Sequence, residues 1–251
     1  MIIGIIPARY GSTRFPGKPL ADIAGKSMIQ RVLEQAKQAK SLAKVVVATD
    51  DNRIVEAVRQ LGEEAVMTRV DHPSGTDRCW EAYDRLVNEG IIAADASNYV
   101  INIQGDEPFI DPAQIDELAA ILDGTVELAT QMASVDSAEI LHDLKEAKII
   151  INGQNEALYF SRAAIPYMRD IEPEKWHEHH NYHRHVGLYA YRVDVLEAIT
   201  QLPPSSLEQA ESLEQLRWLE AGYRIKLVET TYQTPTVDSP DDIEKALRSV
   251  Q

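Results

Sequence analysis

The sequence is short of cysteine, of long apolar runs and of basic residues, and each shortage excludes a class of protein. Its one cysteine, Cys79, cannot form an intramolecular disulfide and is expected to be a small buried side chain in a reducing cytoplasm. The apolar run at residues 2–6 is too short to span a membrane and has no basic segment before it, so we expect neither a secretory signal nor membrane insertion. Lys and Arg number 25 against 40 Asp and Glu, and the net charge of −15 argues against general binding to nucleic acid or anionic membranes.

The remaining composition is that of an ordinary folded protein. The chain has 251 residues, of which 44% are hydrophobic and 26% charged, so it can bury a sizeable core and has no signature of disorder. This length suits one large α/β domain or one domain with an insertion. Because no repeat or clean linker interrupts it, we predict a single domain over residues 1–251.

The loop at residues 7–18 has the features of a phosphate site. It follows the β-branched run at residues 2–6, which predicts a buried strand that ends at Pro7. Small residues let backbone N–H groups approach an oxyanion, and fixed cations neutralise its charge. The glycine spacing fits neither a Walker A loop nor a dinucleotide fingerprint, and a charged surface loop is the weaker alternative. The loop carries three cations: Arg9, Arg14 and Lys18.

Strands and helices alternate through the first half of the chain. Further strands are predicted at residues 44–49, 65–68 and 99–103. Helices are predicted at residues 27–39, 50–61 and 75–88. Such alternation favours an α/β fold with a mostly parallel sheet covered by helices on both faces, and ligands then bind at the carboxyl ends of the strands.

The second half is less regular and predicts strands with shorter connections. Strands are predicted at residues 128–132, 148–151, 157–160, 185–191 and 224–229. Helices are predicted at residues 207–220 and 240–250.

Two acidic positions are candidates for a magnesium site. Asp106 directly follows the strand at residues 99–103, and Mg²⁺ prefers hard oxygen ligands while bridging phosphates with few protein carboxylates. An acidic turn explains Asp106 equally well. Asp238 precedes Pro240 and by itself is better explained as a helix cap, so its metal role requires that the fold bring it to Asp106.

Several polar residues of the second half are candidates for a second substrate. Arg162 follows a strand and could hold a carboxylate with its planar fork, although a surface cation is the usual alternative. His185 stands at a strand entrance, where its side chain could face a pocket. The other histidines of residues 176–185 favour a solvated loop over a zinc site. Glu214 and Gln215 lie on an amphipathic stretch and by themselves indicate a solvated helix face.

Taken together, the motifs resemble those of a known enzyme family, the 3-deoxy-manno-octulosonate (Kdo) cytidylyltransferases, also called CMP-Kdo synthetases. The matching motifs run in the family's order from residue 2 to about residue 243. The first is shared by many nucleotidyltransferases, whereas those of the second half are more specific. They are IPARYGSTRFPGKPL, VATDD, DHPSGTDR, NIQGDEP, ALYFSRAAIP, RHVGLYAYR, ESLEQLR and VDSPDD.

This resemblance implies the reaction CTP + Kdo → CMP-Kdo + diphosphate, which activates Kdo for lipopolysaccharide synthesis, with Mg²⁺ as cofactor and a homodimer as the assembly. It implies a Rossmann-like α/β fold of the nucleotide-diphospho-sugar transferase type, with a smaller mixed sheet contributing the sugar site and dimer contacts. Residues 1–125 would then form the CTP-binding half, residues 126–236 the sugar-binding and dimerisation half, and residues 237–251 a closing helix that returns to the metal site.

The resemblance also assigns roles to individual positions. The triphosphate loop matches Arg9, Arg14 and Lys18, and the magnesium carboxylates match Asp106 and Asp238; we predict these five residues to be catalytic. The nucleotide-binding set is completed by Ala8, Ser74, Gly75 and Asp77. The positions that match the Kdo pocket are Gln104, Arg162, His185, Tyr189, Glu214 and Gln215.

Other substrates remain open at the level of sequence. The alternatives on the same fold are transferases for 8-amino-Kdo, for an acylneuraminate or for a sugar 1-phosphate. A 1-phosphate pocket needs extra cations, whereas a keto-acid pocket needs one carboxylate clamp with hydroxyl partners, as the residues here provide. A non-catalytic nucleotide sensor would tolerate loss of the acidic pair, and both acids are present.

Overall fold

A computed structural model describes residues 1–11, 15–232 and 234–249. The strands are β1 (Ile2–Ala8), β2 (Asp22–Ile23), β3 (Lys26–Ser27), β4 (Lys44–Thr49), β5 (Ala65–Met67), β6 (Tyr99–Asn102), β7 (Leu128–Ser134), β8 (Lys148–Ile151), β9 (Ala157–Ser161), β10 (His183–Arg192) and β11 (Ile225–Glu229). The helices are α1 (Met28–Ala36), α2 (Asn52–Gln60), α3 (Gly75–Asn88), α4 (Pro112–Ala119), α5 (Ala138–His142), α6 (Trp176–His179), α7 (Val193–Thr200), α8 (Ser206–Glu211), α9 (Gln215–Glu220) and α10 (Pro240–Ser249).

One large sheet organises the described chain. Seven of its strands follow the order β11-β7-β10-β6-β1-β4-β5, and every neighbouring pair in this path is parallel except the two pairs made by β10. Strand β1 lies between β4 and β6, so the loop after β1 and the loop after β6 leave from the same edge. The predicted mostly parallel sheet is therefore confirmed.

Side-chain alternation along each strand divides the core between the two sheet faces. In β1, Ile3 and Ile5 pack in the cluster that contains Cys79 and Leu86 of α3, whereas Ile6 packs on the opposite face with α1 and α2. All of these side chains are fully buried. Helices thus cover both faces, as the continuous apolar strands predict.

The strands of the second half join the same sheet. Strand β8 pairs antiparallel with β10, and β9 pairs antiparallel with β8, which extends the sheet beyond the seven-stranded path. A separate two-stranded antiparallel sheet, β2–β3, follows the N-terminal loop. The mixed α/β fold class is confirmed, while the division of the chain into a CTP-binding half, a sugar-binding half and a closing helix stays a prediction.

One predicted helix, residues 207–220, is wrong because the chain breaks it. Helix α8 ends at Glu211, the next residue Ser212 adopts the left-handed conformation with φ of 53°, and α9 begins only at Gln215. Leu213 is 9% exposed and packs in the core cluster that contains Cys79 and Leu86 of α3. The break also leaves carbonyl groups that need partners outside the helix.

Four other helices were not predicted, namely α4, α5, α6 and α7. Within the described ranges, no helix combines the length and the apolar character needed to cross a bilayer.

Candidate active site

An open cleft of about 280 Å³ lies at the edge of the sheet where β1 and β6 end. Because parallel strands present their carboxyl ends together, loops that are distant in sequence meet here. Eight of the predicted site residues line this one cleft, so the structure brings the phosphate loop and the acidic pair together. They are Ala8, Arg9, Lys18, Ser74, Gly75, Gln104, Asp106 and Asp238.

A backbone hydrogen bond joins the two described ends of the N-terminal loop, at Tyr10 and Gly17. The Gly17 amide donates to the Tyr10 carbonyl at 3.0 Å, and Gly17 adopts φ of 71°, a conformation that glycine takes without strain. The turn places Lys18 at the start of a short 3-10 helix facing the cleft. Arg14, a predicted triphosphate contact, lies outside the described residues.

The two predicted magnesium carboxylates meet on the same cation. The Lys18 ammonium donates to Asp106 Oδ2 at 2.8 Å and to Asp238 Oδ1 at 3.2 Å. A backbone hydrogen bond from Val237 N to Asp106 O, at 2.9 Å, ties the two segments together. The carboxylates are therefore neighbours although 132 positions separate them in the sequence numbering, from 106 to 238.

This pair supplies the kind of oxygen donor that Mg²⁺ prefers in proteins. Both side chains are partly accessible, at 28% for Asp106 and 46% for Asp238, and both supply hard oxygen donors beside an open cleft. The ammonium between them demonstrates that the pair accommodates positive charge at this point. The described residues contain no cluster of three or more metal-ligating side chains, and Mg²⁺ commonly uses one or two carboxylates with water and phosphate oxygens.

The N-terminus of α3 forms the wall opposite the acidic pair. Ser74 caps this helix by accepting from the Asp77 amide, and its hydroxyl donates to Asp77 Oδ2 at 2.6 Å. Asp77 thus supports the cap, whereas Ser74 and Gly75 line the cleft. The first turn of a 14-residue helix directs free N–H groups outward and favours anionic or acceptor groups.

The residues assigned to the second substrate lie on the adjoining strands. Gln104 donates from Nε2 to the Gly187 carbonyl at 3.0 Å, where β10 changes register against β7. His185 is half-buried, with Phe160 edge-on and Tyr189 tilted against its ring. Tyr189 is 8% exposed and also packs edge-on against Trp218.

Hydrogen bonding indicates the tautomer of His185. The Thr130 hydroxyl donates to the Leu188 carbonyl at 2.8 Å and lies 3.1 Å from His185 Nε2. Because the single hydroxyl proton is used in the shorter bond, Thr130 Oγ1 serves as acceptor for an Nε2–H group. Burial lowers the pKa of His185 to about 3, with the Arg184 charge acting in the same direction, so the ring is neutral near pH 7.

Protonation of His185 is expected to weaken the fold. The folded pKa lies below the ordinary value of 6.5, so between about pH 6.5 and pH 3 the unfolded state binds more protons and the free energy of unfolding falls as the pH falls. We expect this residue to contribute about 1.4 kcal/mol per pH unit within that window. Urea unfolding of wild type and His185→Gln from about pH 4.5 to pH 7.5 would measure it, because the other histidines are common to both. Parallel stability curves would contradict the assignment.

Glu214 and Gln215 face inward instead of forming the solvated face that the sequence suggested. Gln215 is 5% exposed, and its Nε2 has no hydrogen-bond partner in the described chain. Glu214 is half-buried and accepts from Thr76 Oγ1 at 3.0 Å. Burial raises the pKa of Glu214, while the hydroxyls of Thr76 and Ser74 oppose the shift. Both residues follow the break at Ser212, and Glu214 contacts Thr76 in the first turn of α3.

Arg162 binds backbone carbonyls on two separate segments. Its Nε donates to the Glu211 carbonyl at 2.7 Å, Nη1 to the Leu144 carbonyl at 3.1 Å and Nη2 to the Ser212 carbonyl at 3.1 Å. The Glu211 carboxylate in turn accepts from the Ser161 hydroxyl and the Arg162 amide. The guanidinium thus holds the break between α8 and α9, and three of its five N–H donors are engaged in these bonds.

The histidine-rich stretch forms a short helix, α6, and the start of β10. Trp176 packs into a small core with Leu141 and Tyr182. The described residues place no three metal-ligating side chains together there.

The chain is similar in sequence to known proteins over most of its length. A family model described as Cytidylyltransferase matches residues 3–226. A protein of Cytophaga hutchinsonii named 3-deoxy-manno-octulosonate cytidylyltransferase is 51% identical over 243 residues, which cover 96% of this chain and 94% of the relative. This chain belongs to the 3-deoxy-manno-octulosonate cytidylyltransferase family.

Further members of this cytidylyltransferase family resemble the chain over its whole length. A protein of the same name from Parabacteroides distasonis is 52% identical over 250 residues, covering 98% of this chain and 96% of the relative. A solved structure of CMP:2-keto-3-deoxy-manno-octonic acid synthetase complexed with CTP superposes with a TM-score of 0.88 at 45% identity. It covers 99% of this chain and 97% of that one, so the family and the nucleotidyltransferase fold are established together.

Three buried residues around this cytidylyltransferase site were missed by sequence reasoning. Arg78 lines the cleft at 4% exposure and pairs with Asp50 at 2.9 Å. Thr76 holds Glu214, and Glu107 is 6% exposed, where burial beside Asp106 raises its pKa to about 8. Each stands next to a residue that was predicted, but only contacts across the fold distinguish it from its neighbours.

Proposed function

We propose that the protein transfers the cytidylyl group of CTP to Kdo, giving CMP-Kdo and diphosphate. The observation that carries the proposal is that Arg9, Lys18, the acidic pair and the N-terminus of α3 line one cleft. The names of its full-length relatives support both the nucleotide and the sugar acid.

The nucleotide is assigned to the cleft itself. Ala8, Ser74 and Gly75 offer backbone and hydroxyl groups to the cytidine, and Asp77 supports them through the helix cap. Arg9, Arg14 and Lys18 are assigned to the triphosphate, whose charge they would neutralise as diphosphate departs. Arg14 holds this role on sequence grounds alone.

The reaction is a displacement at the α-phosphorus. The anomeric hydroxyl oxygen of Kdo forms the new bond to phosphorus, the bond from phosphorus to the bridging oxygen breaks, and diphosphate leaves while the hydroxyl proton passes to solvent. Such transfers depend on positioning and charge neutralisation more than on covalent help. Holding two substrates in register can supply roughly 7–11 kcal/mol of the barrier, so no single general base is required.

We assign Mg²⁺ to Asp106 and Asp238. These two carboxylates would hold the ion, which would supply Lewis-acid chemistry for transfer at the α-phosphate. The two aspartates supply negative charge at the cleft edge, and Lys18 serves as their counter-ion in the protein alone.

The sugar acid is assigned to the strands beside the cleft. Gln104 lines the cleft and is assigned to the junction of this pocket with the nucleotide. We assign the sugar carboxylate to the two N–H donors of Arg162 that are not engaged by the three carbonyls. His185 presents a neutral ring because of its lowered pKa. The polyol is assigned to the remaining three positions, Tyr189, Glu214 and Gln215.

Replacing Arg162 separates the two substrate sites. We expect Arg162→Ala to raise the apparent KM for Kdo about tenfold or more and that for CTP far less, because a lost hydrogen bond to a charged group is worth about 1.5–3 kcal/mol. Arg162→Lys should fail as well, since one ammonium cannot replace a fork that reaches three carbonyls. Initial rates with each substrate varied would measure this, and equal rises in both KM values would show that the sugar carboxylate lies elsewhere.

A diphosphate-release assay tests the function. We expect release with CTP and Kdo together and little with either alone, and slower release when UTP, GTP or ATP replaces CTP. Parallel assays with 8-amino-Kdo, an acylneuraminate and a sugar 1-phosphate would identify a different acceptor. Absence of release with CTP and Kdo would overturn the proposal.

We also propose an assembly and a cellular location for the protein. A homodimer is supported by large apolar side chains on the surface: Leu158 of β9 is 58% exposed and Tyr167 is 77% exposed. Light scattering would test the assembly. A cytoplasmic role in lipopolysaccharide synthesis fits the single buried thiol and the expected product.

A further inference from the structure

One hydrogen bond joins the residues assigned to the two substrates. Thr76 lies in the first turn of α3, between Gly75 and Asp77, which we assign to the nucleotide. Its hydroxyl donates to Glu214 Oε2 at 3.0 Å across a sequence separation of 138 residues, and Glu214 is assigned to Kdo. Thr76 is itself only 3% exposed, so the donor side of the bond is buried.

Other polar side chains surround the bond between Thr76 and Glu214. The Tyr191 hydroxyl lies 3.5 Å from Thr76 Oγ1 on the same face. Asn102 and Tyr189 are directly paired across β6 and β10, so they also face α3. Asn102 Oδ1 is buried and has no hydrogen-bond partner among the described residues, as is true of Gln215 Nε2. Buried polar atoms without partners are costly, so these two atoms mark this face of the sheet as polar in an otherwise apolar core.

We propose that Thr76 is a positioning residue that holds Glu214 for the sugar acid and thereby couples the two substrate sites. The inference rests on the proposed function, because the assignment of Glu214 to Kdo belongs to it. Glu214 lies just after the left-handed break at Ser212, where no helical bond fixes it on its N-terminal side, so the contact to α3 sets its direction. The Glu214 carboxylate lies beside the first turn of α3, where the dipole of that helix also favours a negative charge.

Coupling follows from the shared turn. CTP bound against Ser74 and Gly75 restricts the turn that carries Thr76, and the ordered hydroxyl restricts Glu214 before the sugar arrives. A site that is already ordered costs less to occupy, so each substrate should tighten the binding of the other.

The kinetic test compares three single variants. Thr76→Val keeps the shape of the side chain and removes the hydroxyl, whereas Thr76→Ser keeps the hydroxyl. We expect Thr76→Val to lower kcat/KM for Kdo about tenfold or more, with kcat/KM for CTP changing less, and Thr76→Ser to stay near wild type. Thr230→Val is the matched control, because Thr230 is 3% exposed and donates to Glu117 at 2.9 Å, yet neither residue is assigned to the site.

Two further measurements distinguish positioning from a purely structural role. In wild type, a non-hydrolysable CTP analogue should tighten Kdo binding about fivefold or more, and Thr76→Val should reduce this factor toward one. In a double-mutant cycle with Glu214→Ala, which removes the acceptor of the Thr76 hydroxyl, adding Thr76→Val should lower kcat/KM by less than about twofold more. Thermal unfolding of each variant would check that the fold is retained.

The outcomes separate the two hypotheses. The role of Thr76 would be overturned if the effects of the two substitutions on kcat/KM multiplied in the cycle, or if the CTP analogue tightened Kdo binding as much in Thr76→Val as in wild type. Synthesis of CMP-Kdo by the wild-type protein would still support the proposed function in that case. A wild-type protein that releases no diphosphate from CTP and Kdo would instead overturn the proposed function, whatever the variants do.

Discussion

Asp106→Asn is expected to lower kcat at least about 100-fold while retaining part of the CTP affinity. The asparagine keeps the size of the side chain but removes the negative charge that, with Asp238, faces the cleft. CTP binding is partly retained because Ala8, Ser74 and Gly75 lie on other elements and are unchanged. Turnover and the Kd for CTP, measured at increasing Mg²⁺, would separate the two effects.

Neighbouring aspartates provide the controls for this experiment. Asp238→Asn should reproduce the loss of turnover, because both carboxylates contact the Lys18 ammonium. Asp241→Asn removes an exposed charge three residues further along, in the first turn of α10, and should retain wild-type turnover. Wild-type turnover by Asp106→Asn at saturating Mg²⁺ would remove Asp106 from the metal site.

Gly105→Ala is expected to disturb the site through the backbone. A Cβ atom at this position would lie 2.7 Å from the Pro7 carbonyl oxygen, which is too close. Because that oxygen belongs to the backbone, no side-chain rotation can relieve the clash. Overpacking of this kind costs about 1–3 kcal/mol of stability. Because Asp106 is the next residue, we also expect kcat/KM to fall about 100-fold, as a displacement of about 1 Å in a reacting site can cost that much.

The matched control is Gly153→Ala. Gly153 is exposed, its Cβ would meet nothing within 4 Å, and its φ is not in the left-handed region. We therefore expect wild-type kinetics and a melting temperature close to that of wild type. Wild-type kcat/KM in Gly105→Ala would show that the approach of β1 to the loop after β6 does not position Asp106.

Local patterns predicted most of the central sheet. Strand β4 has the predicted bounds, and β6 ends one residue earlier than predicted. Both strands were predictable because a run of β-branched residues that is buried on both sides carries a strong local signal. The prediction of one helix over residues 207–220 was wrong because contacts from a distant segment decide the structure there. The amphipathic spacing of these residues is helical, but the contacts that Arg162 makes with the Glu211 and Ser212 carbonyls come from another part of the chain and stabilise a break.

The candidate site divides in the same way. Composition and local spacing placed the cationic loop, the strand ends and the acids that follow them, and the family motifs assigned each a role. Thr76 and Arg78 carry no such local signal, since a buried partner on a distant element defines what each does: Glu214 for one and Asp50 for the other.

By itself, the sequence determined the alternation of strands and helices, the loop after the first strand and the family to which the chain belongs. These depend on hydrophobic periodicity and on motifs, which are properties of neighbouring residues. Only the tertiary structure decided that Asp106 and Asp238 share one cation and that Glu214 turns toward α3. Contacts between segments more than 100 residues apart arise from how the sheet is assembled, and no local pattern of residues encodes them.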